Sequence, residues 1–191
     1  MKELKFIHIT KNAGMSIEEV GRAKGLQWGQ HHKEYGFWHV PFSTLSAALK
    51  TKYDWFLVVR NPYERILSEY YCKWGGIGSS RTTHTKDQFN AYLLRKIRAR
   101  RPSSGHYIEQ YKYLDASTTQ HILKFEELPH AFDELMKVYG IDATLNIHTN
   151  ARAGRGFTTA DFSDELLGLI HTVYARDFEV FSYELKTPAS V

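Results

Sequence analysis

The sequence predicts an α/β fold of three layers, with a mainly parallel central sheet flanked by helices. Three observations carry this. Residues 4 to 9 form a short, largely apolar stretch that breaks and resumes as an amphipathic helix over 15 to 23. "WFLVV", residues 55 to 59, is a continuous apolar run of the kind found in parallel strands covered on both faces, which makes it central. Strands and helices then alternate to the end of the chain with no repeat and no convincing linker, so a single domain over 1–191 is expected.

The elements follow in order. The strand at 4–9 and helix at 15–23 form one strand, loop, helix unit. "FSTLSAALK" reads as helical, which leaves His39 in the connection before it. The 55–59 strand enters "RNPYERILSEYY", where Asn61 suits a cap, Pro62 the first helical position and Glu64 the third, an Asn version of the capping box. "WGGIGSSRTTHT" is a loop, and a helix is expected over roughly 87–100. "HILKF", 121–125, is a third strand, and "ELPHAFDELMKVYG" a helix ended by Gly140. Residues 143–157 read as a long loop, and the last helix starts near Ser163, with Leu166, Ile170, Val173 and Tyr174 on one face.

Composition narrows the class. With 42% hydrophobic and 24% charged residues the chain is of ordinary globular make-up, and its net charge of +4 favours an anionic ligand. Cys72 is the only cysteine, so an intrachain disulfide is impossible and no zinc cluster pattern is present. The amino terminus lacks the apolar segment of a signal peptide and no stretch is long and apolar enough to span a membrane, so a cytoplasmic location is expected.

Ligands of such folds bind at the carboxyl ends of the strands, where two loops stand out. In "FIHITKNAGMSIEEV" the amides that open the helix near residues 14 to 16 suit a phosphate, and Lys11 adds a mobile charge. The order is not that of a Walker loop, whose lysine follows the last glycine; Lys11 precedes Gly14. An ordinary turn with a solvated lysine has the same pattern. In the second loop, Arg60 ends the central strand and Ser68 lies seven residues after Asn61, on the same helical face, so a guanidinium and a hydroxyl are candidates for another phosphate.

"HITKNAGMSI" resembles the 5′-phosphosulfate loop of the sulfotransferases that use 3′-phosphoadenosine 5′-phosphosulfate (PAPS), and "VVRNPYERILSEYY" resembles their 3′-phosphate motif. The likeness is closest to the carbohydrate branch that includes heparan sulfate 2-O-sulfotransferase, and it continues through "HVPF", "LKFEEL" and "YARDFEVFSY". It implies a P-loop-like sulfotransferase fold, PAPS as sulfuryl donor without a metal, and a hydroxyl-bearing acceptor, a carbohydrate that is itself anionic in some members. Lys11 would then meet the bridging oxygen and sulfuryl group. The amides of Asn12, Ala13, Gly14, Met15 and Ser16, with the Ser16 hydroxyl, would surround the 5′-phosphate, and Arg60 and Ser68 would hold the 3′-phosphate. Asn12 and Met15 stand where the family often has threonines, so a hydroxyl donor is lost at Met15. Asn150, Arg152 and Arg155 in "HTNARAGRGF" would belong to a C-terminal loop closing over the cofactor.

His39 in "GFWHVPF" matches the position of the branch's catalytic histidine. A histidine, with a reference pKa of about 6.5, can accept an alcohol proton near neutral pH. His31, His32, Glu34, His84 and His106 are rivals for that role. The cations of "LLRKIRARR", 93–101, read as a solvated helix face, or as a guide for an anionic polymer or nucleic acid. A P-loop kinase and a noncatalytic nucleotide- or nucleic-acid-binding module are the alternative readings, and neither nucleic acid nor a membrane is the expected partner.

Overall fold

The computed structural model describes residues 1–32, 34, 39, 41–79, 82–101, 105–118, 120–146 and 156–186. These residues divide into two compact units. The first comprises 1–60, 102–105 and 112–149, and the second 61–101, 106–111 and 150–191.

The first unit holds a parallel sheet of three strands in the order β1 (Leu4–Ile7), β2 (Asp54–Val59) and β3 (Gln120–Lys124). Phe6 pairs with Phe56 in register, and Val58 with Leu123. Every residue of β2 is buried, as its unbroken apolar run requires of a central strand. Phe6, Phe56 and Val58 pack with Ile17 of α1 (Gly14–Ala23) and with Phe132, Leu135 and Met136 of α5 (His130–Val138). Trp28 closes this core, its indole N–H donating to the Leu4 carbonyl at 2.9 Å. Trp55 points to the other face, where Phe42 meets it edge-on with ring centroids 5.1 Å apart.

β1 stops at Ile7 rather than residue 9, because its pairing with β2 ends at Ile7 opposite Leu57. "FSTLSAALK" is two pieces rather than one helix. A 3₁₀ turn at Phe42–Thr44 is followed by α2 (Ala47–Lys52), and the Ser46 hydroxyl separates them by accepting the Leu49 N–H as an N-cap. The helix expected from Glu127 begins at His130, after a 3₁₀ turn at Phe125–Glu127. Its end is as expected: Gly140 adopts φ 64, and the Ile141 and Gly140 amides close onto Met136 and Lys137 in a Schellman motif.

The second unit is helical among the described residues. Asn61 Oδ1 caps α3 (Pro62–Tyr70) by accepting from Tyr63 N at 3.0 Å; the expected reciprocal partner Glu64 instead accepts from the Thr159 hydroxyl at 3.4 Å. α4 (Lys86–Arg98) carries a full capping box between Thr85 and Gln88. The last helix is broken into α6 (Asp164–Val173), capped by Ser163, and α7 (Ala175–Phe181). Tyr174 sits at the break, where its buried hydroxyl donates to the Tyr107 carbonyl at 2.7 Å. Aromatic rings of α3, α4 and α7, among them Tyr70, Phe89 and Phe178, form this unit's core together with Leu166, Leu167 and Ile170 of α6. No described helix is long and apolar enough to cross a membrane.

Candidate active site

Three non-glycine residues of the first unit have left-handed backbones at or near the carboxyl end of β1: Lys11 (φ 67), Ala13 (φ 63) and His39 (φ 65). Such conformations are uncommon outside glycine and gather at functional sites, because surrounding contacts must hold them.

Lys11 and Ala13 flank Asn12, whose φ is negative, so the hand of the backbone alternates over three residues. Alternation of this kind turns successive N–H groups toward one concave side, an anion-binding nest. It opens onto the amino terminus of α1, which has no side-chain cap and no acidic residue in its first turn. A helix start of that description carries partial positive charge and donors directed at an incoming anion. The Asn12 side chain is turned inward: it is buried, and Nδ2 donates to the Val58 carbonyl at 2.7 Å, tying the loop to β2. Met15, where a threonine hydroxyl is often found, is 59% exposed. Ser16 is partly exposed in the first turn.

Arg60 stands beside this loop. Its guanidinium lies 4.1 Å from the centroid of the Phe125 ring and donates to the Lys11 carbonyl at 3.2 Å. The cation thus joins the ends of β2 and β3 to the loop after β1. Ser68 is buried on α3 in the second unit. Asn150, Arg152 and Arg155 lie outside the described residues.

His39 is half-buried, and its Nδ1 lies 3.3 Å from the His8 carbonyl oxygen. A carbonyl only accepts, so Nδ1 carries the hydrogen and the lone pair of the neutral ring falls on Nε2. The Tyr113 hydroxyl donates to the His39 carbonyl at 2.8 Å. His39 is therefore held at its backbone and at one ring nitrogen, with the other nitrogen the basic one.

Two of the rivals lie at the other end of the sheet from His39. His32 is buried against Tyr53 and Trp55, at the amino-terminal end of β2, and Glu34 pairs with Lys52 there at 3.0 Å. Burial and the nearby Lys5 charge hold the His32 pKa below its usual value. His31 is exposed in the turn before it. In the second unit His84 Nδ1 is 2.9 Å from the Tyr70 hydroxyl, and His106 Nδ1 is 2.7 Å from Glu69 Oε2.

Glu69, Cys72 and His106 bring ligand-type atoms within 4.8 Å of one another, a grouping invisible in the sequence. The Glu69 carboxylate is engaged by His106 and lies 4.0 Å from the buried Arg65 guanidinium, so a fixed cation already balances it. The cation run in and just after α4 is likewise partly spent. Arg98 bonds Glu165 at 2.8 Å, Arg100 bonds Glu109 at 3.1 Å, and Arg95 and Lys96 lie over Tyr92.

The model of the sulfotransferase family matches residues 27–184. The chain belongs to the sulfotransferase family. No curated protein and no solved structure matches it. Members of this family move a sulfuryl group, generally from PAPS, to a hydroxyl-bearing acceptor, and the three-stranded parallel sheet flanked by helices agrees with a sulfotransferase fold. The matched span takes in His39, Arg60 and Ser68 but begins after Lys11–Ser16.

Sequence reasoning did not find His8 and Glu18. His8 Nδ1 is 2.7 Å from Glu18 Oε1, both residues are buried, and the same oxygen accepts from the Gln30 N–H at 2.9 Å. One signal was present: Glu18 falls on the apolar face of α1, with Ile17 and Gly21, where a carboxylate needs a partner.

Proposed function

We propose that this sulfotransferase-family chain transfers the sulfuryl group of PAPS to a hydroxyl of a carbohydrate acceptor, with residues 1–191 acting as one sulfotransferase domain. The alternating turn at Lys11, Asn12 and Ala13, opening onto an uncapped helix, is the observation that carries the reading. The fit is chemical: backbone donors, a helix terminus and Lys11 gather where the 5′-phosphosulfate would lie, and the Arg60 guanidinium stands beside that loop. The family match through both units supports the single-domain reading; the carbohydrate acceptor rests on the sequence resemblance around His39 alone.

PAPS supplies an activated sulfuryl group with 3′-phosphoadenosine 5′-phosphate (PAP) as leaving group. In the transfer an acceptor oxygen forms a bond to sulfur, the bond from sulfur to the bridging oxygen breaks, and that electron pair leaves with PAP. The residues align these atoms and stabilise charge. His39 Nε2 accepts the proton of the attacking hydroxyl. Lys11 offsets the charge that grows on the bridging oxygen. The amides of Asn12 to Ser16 and the Ser16 hydroxyl hold the 5′-phosphate. Arg60 braces the loop through the Lys11 carbonyl and supplies the cation for the 3′-phosphate.

Calorimetric titration with PAP, AMP and ATP, followed by labelled-sulfate transfer from PAPS to sugars, glycans, phenols and peptides, tests the proposal. PAP is expected to bind in preference to AMP and ATP, and label to reach sugar hydroxyls. Equal binding of PAP and AMP overturns the 3′-phosphate assignment, and label confined to phenols or peptides overturns the carbohydrate one.

A further inference from the structure

His8 touches both halves of the site in the first unit. A Cβ added to Gly14, the first residue of α1, would lie 2.0 Å from His8 Nε2, so the imidazole sits directly against the start of the anion-binding helix. The same ring meets His39 edge to face, with centroids 4.3 Å apart and planes at 85°, while the His8 carbonyl takes the His39 Nδ1 hydrogen. The orientation of the His8 ring is set from behind by Glu18, whose carboxylate only accepts and so fixes the His8 hydrogen on Nδ1. Glu18 is 1% exposed and its oxygen is further held by the Gln30 amide.

We propose that the buried Glu18–His8 pair is a positioning device for His39: Glu18 locks the His8 imidazole, and His8, by ring contact and carbonyl, holds His39 in the tautomer whose basic atom is Nε2. The proposal rests on the reading of His39 as proton acceptor. It goes beyond that reading by assigning two residues that never touch the reacting atoms. A carboxylate behind an imidazole that orients a second group is the arrangement by which proteins select one ring tautomer. Because His8 also abuts Gly14, one side chain registers the base against the helix that takes the anion.

The test is long-range ¹H–¹⁵N spectroscopy of the imidazoles in the uniformly labelled full chain, with His39 assigned by the signals lost in His39→Asn, a residue that tolerates the left-handed backbone. The wild-type protein is expected to show His39 protonated at Nδ1 and unprotonated at Nε2 above the ring's pKa. The double variant His8→Ala with Glu18→Gln removes the ring that meets His39, takes away the side chain that positions the His8 carbonyl, and leaves no buried charge. It is expected to show His39 averaged between tautomers, with single-turnover transfer down roughly 10- to 100-fold, the scale of a misplaced reacting group, and PAP affinity unchanged. A wild-type His39 protonated at Nε2 overturns the proposal whether or not the double variant folds. So does a folded double variant with the wild-type His39 pattern and pH profile. The imidazole pattern needs neither donor nor acceptor, so absent PAP binding counts against the proposed function and not against the pair.

Discussion

The Arg60 guanidinium is sandwiched between two jobs: it stacks on the Phe125 ring at 4.1 Å and donates to the Lys11 carbonyl at 3.2 Å. Arg60→Ala is therefore expected to weaken PAP binding by roughly 10- to 100-fold, the worth of a charge-assisted hydrogen bond, and to abolish the preference over AMP. Arg60→Lys is expected to recover little of it, because an ammonium has neither the planar fork nor the stacking face. Titrations of both variants with PAP and AMP check this; full recovery by lysine would reduce Arg60 to a point charge.

Lys11 follows a different rule. Its charge is assigned to an oxygen that becomes negative as PAP departs, so Lys11→Ala is expected to lower kcat far more than PAP affinity. Single-turnover transfer and calorimetry on the same protein separate the two effects. A variant with full turnover and weaker binding would make Lys11 a ground-state clamp.

For His39 the expectation is a loss of roughly 10²- to 10⁴-fold in single-turnover transfer on His39→Ala, with PAP binding and melting temperature near wild type. Transfer by the wild-type protein should fall as pH drops through the imidazole's pKa in the complex, since the acceptor form is the neutral ring. Normal transfer by a folded variant would remove His39 from the reaction.

His32 offers a pH test of stability. Its Nδ1 accepts the Glu34 N–H at 3.1 Å, an acceptor role that needs a neutral ring, and burial with Lys5 holds its pKa low. The unfolded chain, titrating near 6.5, binds a proton that the folded one refuses. Stability is thus expected to decline as pH falls from above 6.5 through the lowered folded-state pKa, then to level off. His32→Gln, which keeps an acceptor, should flatten part of that decline in melting curves between pH 7.5 and 5. Identical slopes for the two proteins would show that His32 protonates equally in both states.

Gly14→Ala is expected to destabilise the protein and weaken PAP binding together, because the new methyl would occupy the position of the His8 ring. Melting and titration of the one variant suffice. An unshifted melt would mean that His8 moves aside without cost.

The sequence by itself determined the sheet and the loops that leave its strands. β2 was legible because a central parallel strand must be apolar on both faces, and the Asn61–Pro62 start and Gly140 stop were legible because capping depends on residues adjacent in the chain. Lys11, Gly14 and Arg60 were legible for the same local reason, a strand ending in a loop that opens a helix. Tertiary structure alone decided where Asn12 points, since its partner is the carbonyl of Val58 on another strand. It alone selected the His39 tautomer through the carbonyl of His8, and set the rivals His32 and Glu34 at the opposite end of β2. Side-chain direction and proton position depend on groups distant in sequence, and distance in sequence carries no geometry until the sheet brings those groups together.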